Sequence, residues 1–144
     1  MRFASCAFVL LFVSLLSGEQ PNKGSFSDGD KNAKTQAELN ECAGNDLKHA
    51  DDELNATYQQ LLKKAGNDAV ALRKIKAAQR AWVLFRDAQI EAFYPAEDKQ
   101  KEYGSVFPMC ADLLLADLTK ERTKMLKEML NSVEGDVCAS GASR

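Results

Sequence analysis

Cys42, His49 and the run Asp51-Asp52-Glu53 place a thiol, the chain's single imidazole and three adjacent carboxylates within one short stretch. A cysteine and a histidine make a nucleophilic pair only within proton-transfer reach. Seven residues of helix separate these two by about 10 Å along the axis, which is too far. Glycoside cleavage needs two carboxylates facing each other across a cleft at about 5–10 Å. Neighbouring acids on a helix point in different directions and read as a solvated face. With one histidine there is no helical histidine pair for zinc, and Ser105 has no base signature beside it. The expectation is a non-enzymatic protein with no catalytic residues, no metal and no cofactor.

What positions these residues is read from the start of the chain. Arg2, the apolar stretch Ala4 to Leu16 and the small pair Ser17-Gly18 have the pattern of a signal peptide over residues 1–18. The apolar core is well short of the roughly 20 residues a membrane-spanning helix requires. Glu19 follows where a lipoprotein would need cysteine, and Cys6 lies inside the apolar core. A periplasmic or secreted product is expected, with no membrane association after cleavage. The 19 Lys and Arg against 21 Asp and Glu give a net charge of −2. Lysines 63, 64, 74 and 76 read as interleaved with acids on solvated helix faces, so nucleic acid is not an expected partner.

Residues 19–34 carry Pro21, Gly24, Gly29 and several short polar side chains, with Phe26 the only large apolar one, and read as a flexible lead-in. Thr35-x-x-Glu38 then fits a capping box. Leu39, Ala43, Leu47, Ala50, Leu54, Tyr58 and Leu61 form one helical stripe, closed by Gly66-Asn67, with Asn67 or Asp68 able to cap the next helix. A second stripe runs Leu72, Ile75, Ala78, Trp82, Phe85, Gln89 and Phe93 until Pro95 stops it. After a charged connector, Ala96 to Gly104, Ser105 is a candidate cap. A third stripe uses Val106, Cys110, Leu114, Leu118, Met125, Met129 and Val133, widened by Leu113, Leu115, Leu126 and Leu130. No stretch keeps strand period. The expected fold is all-α, an up-down-up antiparallel three-helix bundle with helices at about 35–65, 68–94 and 105–133. It forms one domain over 35–134, followed by a flexible tail at 135–144.

Four blocks carry a resemblance beyond periodicity. Thr35-Gln36-Ala37-Glu38-Leu39-Asn40-Glu41-Cys42-Ala43 and Ala50-Asp51-Asp52-Glu53-Leu54-Asn55-x-x-Tyr58-Gln59-x-Leu61-Leu62 come first. Ala78-Gln79-Arg80-Ala81-Trp82-x-x-Phe85-Arg86-Asp87-Ala88 is central. Tyr103-Gly104-Ser105-x-x-Pro108-Met109 with Leu118-Thr119-x-Glu121-Arg122-Thr123 closes the set. In this order the blocks resemble the lysozyme inhibitor LprI-like N-terminal domain, from residue 35 to about 130. The resemblance implies a small exported helical module, with inhibition of a lysozyme-type cell-wall hydrolase as the activity that named the family. Cys42, Tyr58, Trp82, Arg86, Asp87, Thr119 and Arg122 are the motif residues it marks. Family members commonly carry further cysteines near positions that here are Asp30, Ile90 and Leu114, so only Cys42 keeps its place.

Without residues 1–18, Cys42, Cys110 and Cys138 remain, an odd set for an oxidising compartment. In an up-down-up bundle the starts of the first and third helices share one end, which makes Cys42–Cys110 the preferred bridge. The alternatives are Cys42 as a small buried residue and Cys138 free, paired with Cys110 or linking two chains. Arg86 and Arg122 are expected to pair with carboxylates such as Glu53 or Asp87 between helices, and Trp82 and Tyr58 to lie in the core. Two functions stay open. One is an inhibitor that masks a hydrolase through the Tyr94–Ser105 connector, where Glu97, Asp98, Glu102 and Tyr103 are the candidate contacts. The other is a structural or envelope-stress protein acting through helix-mediated homodimerisation.

Overall fold

The computed structural model describes residues 33–132. The signal segment 1–18, most of the lead-in, Val133, Cys138 and the tail lie outside them. Three long helices carry the fold: α1 (Gln36–Ala65), α2 (Ala69–Phe93) and α4 (Phe107–Asn131). Between the last two sit a short helix, α3 (Lys99–Tyr103), and a 3-10 turn, Gly104–Val106. No strand occurs among the described residues. The all-α, up-down-up three-helix bundle expected from the stripes is the observed fold.

The helix ends follow the local chemistry. Thr35 caps α1: its hydroxyl accepts from the Glu38 amide at 3.2 Å, and the Thr35 amide donates back to the Glu38 carboxylate at 2.9 Å. Lys34 adds a second amide to that carboxylate at 2.6 Å, and the two amides hold Glu38 below the usual carboxylate range. Gly66 closes α1 with φ 54°, a left-handed value that glycine adopts without a Cβ clash. Asp68 caps α2 by accepting from Val70 and Ala71. The connector is more ordered than expected: Asp98 caps α3 through the Lys101 amide at 3.0 Å. Ser105 does not cap α4. Its carbonyl instead accepts from the Asn40 side chain at 3.2 Å, and Pro108 occupies the first turn, where a missing amide hydrogen costs little.

Two kinds of packing hold the three helices together. α1 and α4 run parallel and share by far the most extensive contact among the described helices. Their facing sides carry Ala43, Ala50 and Thr57 against Ala111, Ala116, Thr119 and Thr123, all buried. Small side chains let two backbones approach closely, with Leu54, Leu61 and Leu126 filling the lower half of the seam. α2 makes few close backbone approaches to either partner, and Ile75 is its only fully buried residue. Leu72, Ile75 and Trp82 reach across to Tyr58, Leu62 and Met129 instead.

The stripe expected for α2 needs correcting. Ala78 is exposed, and Phe85 and Phe93 stand 53% and 57% accessible to solvent. The inward side runs Leu72, Ile75, Gln79, Trp82 and Arg86. This side brings Leu72, Ile75 and Trp82 to the core cluster, and Gln79 and Arg86, on the same side, both find partners on the other helices. In α4 the correction is similar. Met125 is 54% exposed, and the buried line passes through Ala111, Ala116, Thr119, Thr123 and Leu126, leaving Leu113, Leu114, Leu115 and Leu118 only partly covered.

Candidate binding surface

Arg86 joins α2 to α1. Its Nη1 lies 3.4 Å from Asp51 Oδ1 and its Nε donates to Asp87 Oδ1 at 3.0 Å, while the guanidinium rests over Trp82 with Cζ 5.3 Å from the ring centroid. Arg122 joins α4 to α2 by donating from Nε to Gln79 Oε1 at 3.1 Å. The expected carboxylate partners are thus only partly found. Asp87 does bind Arg86, but along its own helix; Glu53 is taken by Lys127 at 2.5 Å, and Arg122 meets an amide. Burial without a carboxylate lowers the Arg122 pKa from its ordinary value, and a guanidinium stays protonated regardless. Asp51 and Gln79 complete these cross-links. Both stood in the family blocks, but nothing in the spacing alone singled them out.

Trp82 and Tyr58 pack against the core cluster. Thr119 is fully buried, and its hydroxyl has no hydrogen-bond partner although its carbonyl accepts from the Thr123 hydroxyl at 2.9 Å. Cys42 and Cys110 lie at the same end of the bundle, as expected, but no disulfide joins them. The reason is helical phase. Cys110 precedes Thr119 by nine residues, about two and a half turns. The Thr119 side of α4 faces α1, so Cys110 projects away from it. Its sulfur sits instead by Tyr94, whose phenol is pushed above its ordinary pKa by burial first and by the Cys110 thiol second.

Tyr94 belongs to a small aromatic core that organises the connector. Its ring meets Tyr103 edge-on at 5.3 Å and Phe107 edge-on at 5.1 Å, and Tyr103 stacks on Phe107 at 5.9 Å. The Ala96 amide donates to the Tyr103 hydroxyl at 3.3 Å. Lys99 ties the connector back to α2 through Glu91 at 2.7 Å. Of the four candidate contacts, Tyr103 is therefore half-buried and structural, and Asp98 is spent on a helix cap. Glu97 and Glu102 point to solvent, joined on the same end of the molecule by exposed Phe93 and Val106. The sequence reading treated Phe93 as core, so this apolar element of the end surface was missed.

The hollows of the surface are open rather than enclosed. One of about 490 Å³ lies between α1 and α2, lined by Tyr58, Lys76, Gln79, Arg80, Val83 and Leu84. Another follows the α1–α4 seam beside Lys120, Lys124 and Lys127, where Glu53 is already paired. Among the described residues no cluster of His, Cys, Asp and Glu has the makings of a metal site, and no helix is long and apolar enough to cross a membrane.

The family model for the lysozyme inhibitor LprI matches residues 27–126, which takes in α1, α2, the connector and most of α4. The chain belongs to the LprI lysozyme inhibitor family. It is also similar to Uncharacterized protein R02472 of Rhizobium meliloti (strain 1021), 40% identical over 148 residues that cover 93% of this chain and 99% of that protein. No solved structure matches it significantly. Within the family frame, the motif residues Tyr58, Trp82, Arg86, Thr119 and Arg122 all lie between helices, where they build the bundle, whereas Glu97 and Glu102 stay on its outside.

Proposed function

We propose that the chain is an exported, non-enzymatic binding protein of the periplasm or extracellular space that inhibits a lysozyme-type cell-wall hydrolase, and that the α2–α4 connector is its contact surface. One observation carries the choice of surface: the connector is a preformed knob. Its Tyr94, Tyr103 and Phe107 rings are used internally, and its carboxylates Glu97 and Glu102 are left outward beside exposed Phe93. A loop already ordered in the free protein gives up little conformational entropy on docking. Acidic groups around an apolar residue suit a hydrolase whose cleft is rimmed by basic side chains. Family membership supports the class of partner.

A turbidity assay of cell-wall lysis with a panel of lysozymes tests this. The chain is expected to slow lysis by at least one of them. Glu97→Lys with Glu102→Lys should abolish protection while the circular dichroism spectrum is unchanged. Equal lysis with and without the chain across the panel would remove the inhibitor reading, and undiminished protection by the double variant would remove the connector as its surface.

A further inference from the structure

The outward side of α2 is a second apolar face, exposed among the described residues. Val70, Ala77, Ala81, Leu84, Phe85, Ala88 and Ala92 are all exposed, with Leu84 at 72% and Val70 at 55%. Their spacing puts them on one helical side, interrupted near its beginning by Lys74. A helix with an apolar stripe on each side is built to be covered twice.

The charges beside this face say what covers it. From Ala69 to Ala81 the helix carries Arg73, Lys74, Lys76 and Arg80 and no acid; from Asp87 to Phe93 it carries Asp87 and Glu91 and no base. The lysines of α2 are therefore segregated, not interleaved with acids as the whole-chain reading had it. At 100° per residue, Arg73, Lys76, Arg80, Asp87 and Glu91 fall along the same flank of the exposed face. Asp87 and Glu91 keep 59% and 67% of their side-chain surface accessible despite their bonds to Arg86 and Lys99.

We infer that this face is a homodimer interface in which two copies of α2 pack antiparallel about a two-fold axis passing between Ala81 and Leu84. A two-fold perpendicular to a helix pair brings the same flank of both helices to the same side and reverses its direction. The basic half of each flank then meets the acidic half of the other: Arg73 opposite Glu91, and Lys76 opposite Asp87. Ala77, Ala81 and Ala88 allow close approach, and Leu84 and Phe85 supply the area to be buried. A parallel pair would forfeit that complementarity. An unrelated partner would have to reproduce a charge order that a second copy presents by symmetry. The inference stands apart from the inhibitor reading, because the α2 face and the connector surface are different surfaces.

Sedimentation equilibrium of the exported full chain, from about 1 µM to 1 mM, reads the result. A reversible monomer–dimer equilibrium is expected, weakening as salt screens the flank pairs. Leu84→Glu should raise the dissociation constant at least tenfold. Arg73→Glu and Glu91→Arg should each raise it severalfold, and the two together should restore it, since the symmetric pairs are rebuilt with signs exchanged. Circular dichroism of every variant separates lost dimer from lost fold, and the double reversal provides the readout if Leu84→Glu fails to fold. A chain that stays monomeric to 1 mM overturns the inference. So does a dimer indifferent to Leu84→Glu, or one in which the double reversal is no tighter than either single change.

Discussion

The α1–α4 seam and the α2 contact are built from the same kinds of helix and behave as different materials. Along the seam, alanines and threonines let the backbones close on one another, dense packing fills the middle, and Lys64 and Lys127 tie the edges by bonding to the last α4 carbonyls and to Glu53. Against α2 the gap is wider and is bridged by long side chains: Trp82, Tyr58, the Arg86–Asp51 pair and the Arg122–Gln79 bond. A seam of small residues tolerates no change in volume. A contact made of long side chains spreads its stability over many modest terms, each cushioned by solvent.

The comparison can be broken most sharply at the seam. Leu61→Ala, at a side chain with 0% exposure, should cost about 2–5 kcal/mol, since the surrounding helices relax only partly around the cavity. Chemical denaturation would measure it, and a loss no larger than that of a surface alanine would refute the close-packed description. Ala116→Leu attacks the same seam from the other direction. Adding volume where the residue is 1% exposed should cost about 1–3 kcal/mol and raise the unfolding rate.

Effects on α2 should be smaller. Arg86 keeps 21% of its side chain exposed and Asp51 40%, so a double-mutant cycle with Arg86→Met and Asp51→Ala should give a coupling below about 1 kcal/mol. A coupling of several kcal/mol would mean that α2 is held by charge rather than by its apolar plug. Thr119→Val should be neutral or slightly stabilising, because the hydroxyl it removes has no partner to lose. A marked loss of stability would show that the hydroxyl is satisfied in solution.

Another small effect is linked to pH. Asp112 lies against Gly44 on the α1 side of α4, and burial raises its pKa above the ordinary value of 3.8. Between the unfolded and the folded pKa the native chain binds more protons than the unfolded one. Stability at this site therefore falls as pH rises through that window. Asp112→Asn should raise the melting midpoint at pH 7, and the gain should shrink as pH falls toward 3.8. A gain that is constant with pH would show that charge is not its cause.

Much of this was legible without coordinates, and the failures share a cause. Thr35-x-x-Glu38, Gly66 and Asp68 act through neighbours a few residues away, so their roles follow from local sequence. The rotation of α2 was misjudged because both of its sides are apolar, and hydrophobic periodicity cannot choose between two such sides. The Cys42–Cys110 pairing was argued from the correct end of the bundle without the phase of α4, which turns Cys110 toward Tyr94. In the connector, the acidic composition was visible, but the division of labour was not. Asp98 and Tyr103 look as available as Glu97 and Glu102 until a cap and an aromatic cluster claim them.

The helices, their order, their ends and the family follow from amino-acid order alone, because periodicity, capping and motif blocks are properties of residues close along the chain. Which apolar side of α2 turns inward, which carboxylates hold arginines and which acids stay exposed were settled by the packing of the helices. Those outcomes depend on side chains from separate helices meeting in three dimensions. Leu72, Ile75 and Trp82 turn toward Tyr58, Leu62 and Met129 of the other helices, Arg86 comes to rest beside Asp51, and this arrangement leaves Leu84 and Phe85 in water.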